Sequence, residues 1–426
     1  MKRVMITLAA LLASTAAQAV QTPVTVHLNY GPGVNPGSAA YNGFTAAANY
    51  WSSVLTTTGA TPVTVNFNVN FGHLPPNVLG STRSTFTAKT AAGIITRLDG
   101  RRFGALDAGK VLPTLGASTT TGNPNGAVSV YTPGYTDNSA RTGIDNSTKV
   151  YDTDGGYNNS IIGLTTANAK ALGYTGAQIY SPTNTGQVDA TIGFSSDFKF
   201  DFNPRNGITA GTSDFLAVAI HEFGHALGFV SGVDDYDYLG TGGPLADSPA
   251  CGVPGGCKNY DANNDWFGET LDLFRYSATG ALDWTTKTPS YFSVDGGATA
   301  YQAGLFSTGT FNGDGWQASH WKAPQVTLPN GSQVFSCRRP KLGVMNPYIC
   351  NGRAGIVTAL DLAAQDAIGW NITDKARVAD YSKDTGQIAH DLTAVPEPAS
   401  WALFIAGFGV VGAMQRRSRR SGYATA

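Results

Sequence analysis

The sequence is poor in charged residues, and in glutamate above all. Only 13% of its 426 residues are Asp, Glu, Lys or Arg, and the only glutamates are Glu222, Glu269 and Glu397. The formal net charge is −1, and six of the 28 basic residues lie in the first 19 and last 34 positions. The chain between these ends is therefore acidic, with a net charge of about −6, which argues against a nucleic-acid partner.

The first 19 residues have the pattern of a secretory signal. Two basic residues, Lys2 and Arg3, precede a short apolar run, and Ala17-Gln18-Ala19 supplies a small-x-small cleavage site. We expect residues 1–19 to be removed and a body of residues 20–392 to work outside the cytoplasm.

A second targeting pattern ends the chain. Val395-Pro396-Glu397-Pro398 precedes an apolar run, Ala399 to Met414, whose sixteen residues include one serine, and then four arginines within 416–420. This order resembles the PEP-CTERM tail of exported Gram-negative proteins, over residues 393–426. The resemblance implies recognition by an exosortase-type enzyme, with a hydrophobic segment that anchors the chain in the membrane transiently. The mature body would then be secreted or stay at the cell surface. An ordinary C-terminal membrane anchor is the alternative.

The few cysteines all lie in the second half, at positions 251, 257, 337 and 350. Their spacing does not match the Cys-x-x-Cys pattern of a cysteine-based zinc site. An even number of cysteines in an exported chain favours disulfides. Although four cysteines allow three pairings, we expect the simplest one, Cys251–Cys257 with Cys337–Cys350.

The scarcity of His and Glu makes one motif stand out, His221-Glu222-Phe223-Gly224-His225. With six His and three Glu in the chain, an H-E-x-x-H string is expected by chance only roughly 0.0006 times. Residues four apart share one face of a helix, so His221 and His225 can bind one Zn²⁺. Glu222 can then act as the base that activates a zinc-bound water. Histidines that merely pack in a helix are the alternative.

A catalytic zinc needs a third protein ligand. A third His six residues after the second would stand at position 231, where this chain has Ser231. His320 is the natural candidate among the remaining histidines. A carboxylate shortly after the helix, Asp234 or Asp235, is the other solution.

The motifs together resemble the leishmanolysin-like group of metzincin zinc proteases. That group keeps H-E-x-x-H-x-x-G-F, then a distant His in a Ser-His-Trp setting, a methionine turn and a helix that ends in a Gly-aromatic pair. The same order runs through residues 213–370 here, with His320 before Trp321, Met345 before Asn346-Pro347, and Gly369 before Trp370. The resemblance implies that His221, His225 and His320 bind zinc and that Met345 lies beneath it. Tyr348 is a candidate to stabilise the substrate carbonyl.

The predicted fold is α+β: a mixed-sheet N-terminal lobe to about residue 230, an active-site helix, and an irregular, disulfide-containing lobe over 231–392. Apolar periodicity predicts the elements. In the N-terminal lobe they are a helix over 44–55, a strand over 63–71, mainly loops over 112–159 and a strand pair within 189–202, whose first strand is expected to be the edge above the cleft. The motif helix is expected to be capped by Thr212 or Ser213. A later helix is expected from Thr358 to Gly369, with Asp361 in a capping box.

These patterns predict an exported zinc endopeptidase that acts on protein or peptide substrates. Two alternatives stay open: a non-catalytic surface or matrix protein in which zinc is structural, and a zinc hydrolase of non-peptide substrates. Alternating oxygen donors in Asp261–Asp265 and in Asp152–Asp154 also leave a Ca²⁺ site open, although the glycine of an EF-hand loop is replaced by Trp266.

Overall fold

The computed structural model describes residues 21–393, except for 60, 123–124, 329–332 and 340. The predicted signal peptide and the tail from residue 394 lie outside the described residues. Within the described part of the chain, no helix is long and apolar enough to cross a membrane.

The described residues form an α+β structure of short helices and short strands. The α-helices are α1 Ala39–Val54, α2 Ala91–Asp99, α3 Gly104–Ala108, α4 Tyr157–Ser160, α5 Thr166–Ala171, α6 Phe215–Ala226, α7 Val233–Leu239, α8 Ala359–Ala367 and α9 Thr385–Asp391. Short 3-10 helices span Gly176–Gln178, Pro204–Asn206, Pro249–Cys251, Cys257–Asn259, Ala262–Asn264, Thr270–Phe274 and Tyr301–Ala303.

The strands are longest near the N terminus and shortest in the second half. They are β1 Gln21–Tyr30, β2 Leu55–Thr58, β3 Val63–Gly72, β4 Gly80–Ser84, β5 Phe86–Thr90, β6 Val130–Gly134, β7 Asp145–Asp152, β8 Ile161–Thr165, β9 Ala190–Ser195, β10 Phe200–Asp201, β11 Ser213–Asp214, β12 Arg275–Ala278, β13 Ala281–Leu282, β14 Tyr291–Phe292, β15 Gln325–Thr327, β16 Gln333–Phe335, β17 Ile356–Thr358, β18 Asn371–Ile372 and β19 Ser382–Asp384.

The main sheet has six strands in the order β18-β2-β1-β3-β9-β4. Strand β3 pairs in parallel with β1 on one side and with β9 on the other, and β4 pairs antiparallel with β9. Because β4 ends this order, it is one of the two edge strands of the sheet, and β18 is the other. The prediction that the first strand of 189–202 forms the edge is therefore wrong: that strand, β9, is enclosed between β3 and β4.

The core lies between this sheet and helices α1 and α6. Alternate residues of β3, from Val65 to Val69, are fully buried, as the strict polar–apolar alternation predicts. Phe44 of α1 contacts Phe194 of β9 and Phe215 of α6, with ring centroids 4.8 and 5.0 Å apart. The helix predicted over 44–55 is confirmed and begins earlier, at Ala39.

The second half of the chain is irregular, as expected. Its sheets have two or three short strands, and its two disulfides, Cys251–Cys257 and Cys337–Cys350, confirm the expected pairing. The loop prediction for 112–159 is wrong in part, because β6 and β7 form an antiparallel hairpin there. The frequent Gly, Thr and Asn of this segment conceal the hairpin.

Candidate metal centre

Helix α6 begins at an aspartate. The Asp214 carboxylate accepts a hydrogen bond from the amide of Ala217 at 3.0 Å, so Asp214 is the N-cap, and neither Thr212 nor Ser213 fills that role. The same carboxylate accepts hydrogen bonds from Gly355 and Thr385, which join the start of the helix to the C-terminal segment. The helix ends as expected near Gly228, whose φ of +121° turns the chain away.

Three histidines converge at the far end of this helix. The Nε2 atoms of His221 and His225 lie 3.1 Å apart. The Nε2 atom of His320, 95 positions further along the chain, lies 3.2 Å from that of His225 and 3.3 Å from that of His221. Within the described residues, these three form the group of His, Cys, Asp or Glu side chains that is close enough to hold a metal ion.

The other ring nitrogen of each histidine faces a backbone carbonyl. The Nδ1 atoms lie 2.8 Å from the Val344 oxygen for His221, 2.7 Å from the Phe229 oxygen for His225, and 3.3 Å from the Gln317 oxygen for His320. Because a carbonyl only accepts, each Nδ1 carries the hydrogen and each Nε2 a lone pair. The carbonyls therefore fix the tautomer that a metal ligand needs.

The imidazoles are held in the neutral form. Burial lowers the pKa of His221 to about 3 and that of His225 to about 4, and it holds the pKa of His320 well below its usual value. Three neutral Nε2 lone pairs that face one another repel unless a cation lies between them. Tetrahedral zinc with bonds of about 2.0–2.1 Å separates its ligand nitrogens by about 3.3–3.4 Å. The three observed separations, 3.1, 3.2 and 3.3 Å, come within about 0.3 Å of that spacing.

Glu222 lies beside this group and is only 7% exposed. Burial raises the pKa of its carboxyl to about 7, and a hydrogen bond from Thr82 Oγ1 to Oε2, 2.7 Å long, opposes that rise. Thr82 belongs to the edge strand β4, whose short polar sequence gives no sign of this contact. The carboxyl is thus placed where a proton can be exchanged near neutral pH.

Two carboxylates, one of them fully buried, hold the segments that come from the second half. Asp234 of α7 accepts hydrogen bonds from the amides of Ala318 and Ser319, at 2.6 and 3.1 Å, directly before His320. Asp361 of α8 accepts from the Trp321 indole at 2.9 Å and from the amides of Val344 and Met345 at 3.0 and 3.2 Å. Asp361 also forms the predicted capping box with Thr358.

Met345 is fully buried under the helix between the two histidines. A Cβ placed on Gly224 would lie 2.5 Å from the Met345 sulfur, so the helix and the turn touch closely. The backbone of the turn contributes as well, because the Val344 carbonyl accepts from His221. The turn at 343–347 therefore supports the site from below.

The carboxylates considered as a third ligand do not join the histidines. Asp234 is bound to the 318–319 segment, and among the described residues Asp235 is not part of the group close enough to hold a metal ion. Ser231 donates a hydrogen bond to Asp272 at 2.6 Å instead of facing the site.

A cleft of about 1030 Å³ opens in front of the histidines. Strand β4 lines one side, and the 346–351 segment lines the other. Tyr348 lies on this second wall, 42% exposed, with its ring 4.0 Å from that of Phe335 and 6.1 Å from that of Trp316. Among the described residues its hydroxyl makes no hydrogen bond, so the structure places Tyr348 in the cleft wall without a contact to the histidines.

Comparison with known proteins identifies the end of the chain. The family model of the PEP-CTERM protein-sorting motif matches residues 394–420. Neither a curated protein nor a solved structure matches the chain. The C terminus therefore carries a PEP-CTERM sorting signal, which implies an exported protein of a Gram-negative bacterium that an exosortase-type enzyme processes.

Proposed function

We propose that the protein is an exported zinc-dependent endopeptidase. The observation that carries this proposal is the convergence of three imidazole Nε2 atoms with a buried carboxyl, Glu222, at the floor of an open cleft. A metal that only stabilises the fold needs four protein ligands and no neighbouring base. Three histidines leave one position open, and Glu222 supplies the base.

The chemistry divides between the ion and the chain. Bound zinc would polarise a carbonyl oxygen and lower the pKa of a coordinated water from about 15.7 to about 7. Glu222 accepts the proton of the attacking water and delivers it to the leaving amine. A pKa of about 7 suits a group that must both accept and release a proton near neutral pH. Thr82 holds the carboxylate by one oxygen, which keeps the other free to face the water.

The edge strand gives the cleft a means to bind an extended peptide. Strand β4 is paired on one side with β9, and its residues 80–82 and 84 line the cleft. An extended segment of substrate can add to such an edge through backbone hydrogen bonds. This arrangement favours a peptide over a compact non-peptide substrate.

The sorting tail indicates where this activity is used. We infer that the apolar run of the tail holds the chain in the membrane until the exosortase-type enzyme removes it. The body would then act at the cell surface or in the medium.

Cleavage of casein by the full-length chain, exported and loaded with zinc, tests the proposal. Glu222→Gln should lower kcat by roughly 10²–10⁴-fold and keep one zinc per chain. Glu269→Gln is the matched control, since Glu269 is also buried but lies away from the cleft. Equal activity in the wild type and Glu222→Gln would refute the assignment. Bound zinc without cleavage in either protein would favour the structural-zinc alternative.

A further inference from the structure

Two segments that are far apart in sequence meet at Asp154. One runs from Asp152, the last residue of β7, to Asn158 in α4, and the other is the 3-10 segment Ala262–Asn264. They are joined by a hydrogen bond from the Asn263 side-chain amide to Asp154 Oδ2, 3.0 Å long. Each segment alone has an incomplete pattern of oxygen donors, and the fold combines the two.

Oxygen atoms from both segments surround one small space above Gly156. The position that a Cβ atom on Gly156 would take lies 2.9 Å from Asp154 Oδ1, 3.2 Å from Asn158 Oδ1 and 3.3 Å from the Asn263 carbonyl oxygen. A carboxylate, an amide and a backbone carbonyl thus face a space that glycine leaves open. Oxygen donors of these three kinds are the ligands that Ca²⁺ takes in proteins.

Asn158 is the second, independent observation. Its side chain is 3% exposed, and its Oδ1 atom has no hydrogen-bond partner among the described residues. The amide nitrogen donates to Asp152 Oδ2 at 2.9 Å, which turns the oxygen toward the space above Gly156. A buried acceptor without a partner is costly. A cation in that space would satisfy it.

The local charge is compatible with a cation. Asp152 and Asp154 face one guanidinium, that of Arg141, which lies 3.6 Å from Asp152 Oδ1 and 3.1 Å from Asp154 Oδ2. One negative charge is therefore left over. The guanidinium lies on the outer oxygen, Oδ2, whereas Oδ1 of Asp154 faces the space and accepts from the Gly156 amide. Among the described residues, the Oδ1 atoms of Asp261 and Asn263 are also buried without a hydrogen-bond partner.

We propose that Asp154, Asn158 and the Asn263 carbonyl bind a Ca²⁺ ion that joins the loop after β7 to the second half of the chain. The three atoms nearest to the Cβ position of Gly156 are all oxygens, so a hard cation is favoured over zinc. Water molecules would complete the coordination. Sites of modest charge in extracellular modules bind Ca²⁺ with a Kd of about 10⁻⁴–10⁻³ M, which suits an exported protein.

Calcium titration of the full-length exported protein, freed of calcium and reloaded with zinc, tests this site. Isothermal calorimetry should give one Ca²⁺ per chain, and saturating Ca²⁺ should raise the thermal midpoint by several degrees, since a ligand that binds only the folded state stabilises it. Tb³⁺ should replace Ca²⁺ and luminesce after excitation of the nearby aromatic residues. A wild type that neither binds Ca²⁺ nor gains stability from it would overturn the proposal.

Gly156→Ala is the sharpest variant, because it removes none of the three donors but puts a methyl group 2.9 Å from Asp154 Oδ1, a contact that displaces this oxygen. The residue has φ −63°, which alanine adopts without strain. Calorimetry on the folded variant should show Ca²⁺ binding weakened at least tenfold. Asn158→Leu, which removes the amide oxygen together with the hydrogen bond to Asp152, should also weaken Ca²⁺ binding at least tenfold. Undiminished Ca²⁺ binding in either variant would place the ion elsewhere and refute the assignment.

Asp137→Asn provides the matched control. Asp137 lies in a nearby turn between β6 and β7, where its carboxylate accepts hydrogen bonds from Ser139 and Ala140 and has no part in the space above Gly156. Calcium affinity should equal that of the wild type. An equal loss of affinity in Asp137→Asn would show that the effect comes from general surface charge and would contradict a defined site.

Discussion

The two sides of the histidine group are built in opposite ways. His221 and His225 stand one turn apart on α6, a regular helix buried against the sheet. His320 stands on an irregular segment that has no helix or strand of its own. Helix periodicity places the first two side chains. Two carboxylates from other helices, Asp234 and Asp361, place the third.

This difference shows how an irregular segment can be as well positioned as a helix. Asp234 accepts two backbone amides directly before His320, and Asp361 accepts the Trp321 indole directly after it. Hydrogen bonds to a buried charge are roughly twice as strong as those between neutral groups. The side of the site that carries His320, the distal side, therefore depends on a few polar contacts. The side formed by α6, the helical side, depends on many small apolar contacts.

The strongest test of the comparison removes one ligand from each side. His225→Ala and His320→Ala should each lower zinc affinity by more than about 100-fold, because loss of a ligand exceeds the 10–100-fold effect of a neighbouring contact. Competition with a chromogenic chelator measures the affinity. Unchanged affinity in His320→Ala would mean that the distal side takes no part in the site.

A variant of Asp234 separates the ligand from its support. Asp234→Ala should weaken zinc binding about 10–100-fold, since the 318–319 amides lose their acceptor while His320 itself remains. Asp237→Ala is the control: Asp237 lies on the same helix but accepts from Phe311 and Asn312, away from the histidine. Equal zinc affinities in the two variants would contradict the positioning role of Asp234.

The two disulfides also differ in their relation to the site. Cys337–Cys350 closes the segment that leads to the cleft wall, and Cys251–Cys257 closes a short loop that does not line the cleft. Replacing the first pair by serine should lower the free energy of unfolding by about 3 kcal/mol and raise KM with little change in zinc affinity. The second pair should leave KM unchanged. KM is measured with a fluorogenic peptide. An unchanged KM after loss of Cys337–Cys350 would contradict a role of this disulfide in positioning the cleft wall.

The smallest expected effect is a pH dependence of the zinc-free protein. Burial lowers the folded-state pKa of His225 from 6.5 to about 4, so the stability it contributes is complete above pH 6.5 and is lost as pH falls toward 4. Glu222 acts in the opposite sense: its raised pKa, about 7, contributes stability that is complete below about pH 4.5 and is lost as pH rises through 7. Calorimetry should therefore show a steeper fall from pH 6.5 to 4 in Glu222→Gln than in the wild type. Identical slopes would contradict this assignment of the pKa shift.

The sequence predicts the helical side far better than the distal side. The spacing in His221-Glu222-x-x-His225, the helix at 358–369 and both disulfides follow from local patterns. Thr82 illustrates what local patterns miss: its contact with Glu222 joins residues 140 positions apart. No alternation of apolar and polar residues predicts strand β4. It consists of Gly, Ser, Thr and Arg, and none of its residues is fully buried. Strands β4, β6 and β7 and the contacts of Asp234 and Asp361 are not predicted, because they depend on contacts between residues that are far apart in the sequence.

X-ray absorption at the zinc edge of the full-length, zinc-loaded protein tests the central claim most directly. The account predicts three imidazole ligands and one oxygen ligand at about 2.0–2.1 Å in the wild type, and two imidazoles in His320→Ala. A wild-type spectrum with two imidazoles, unchanged by His320→Ala, would contradict the claim that the distal side completes the site.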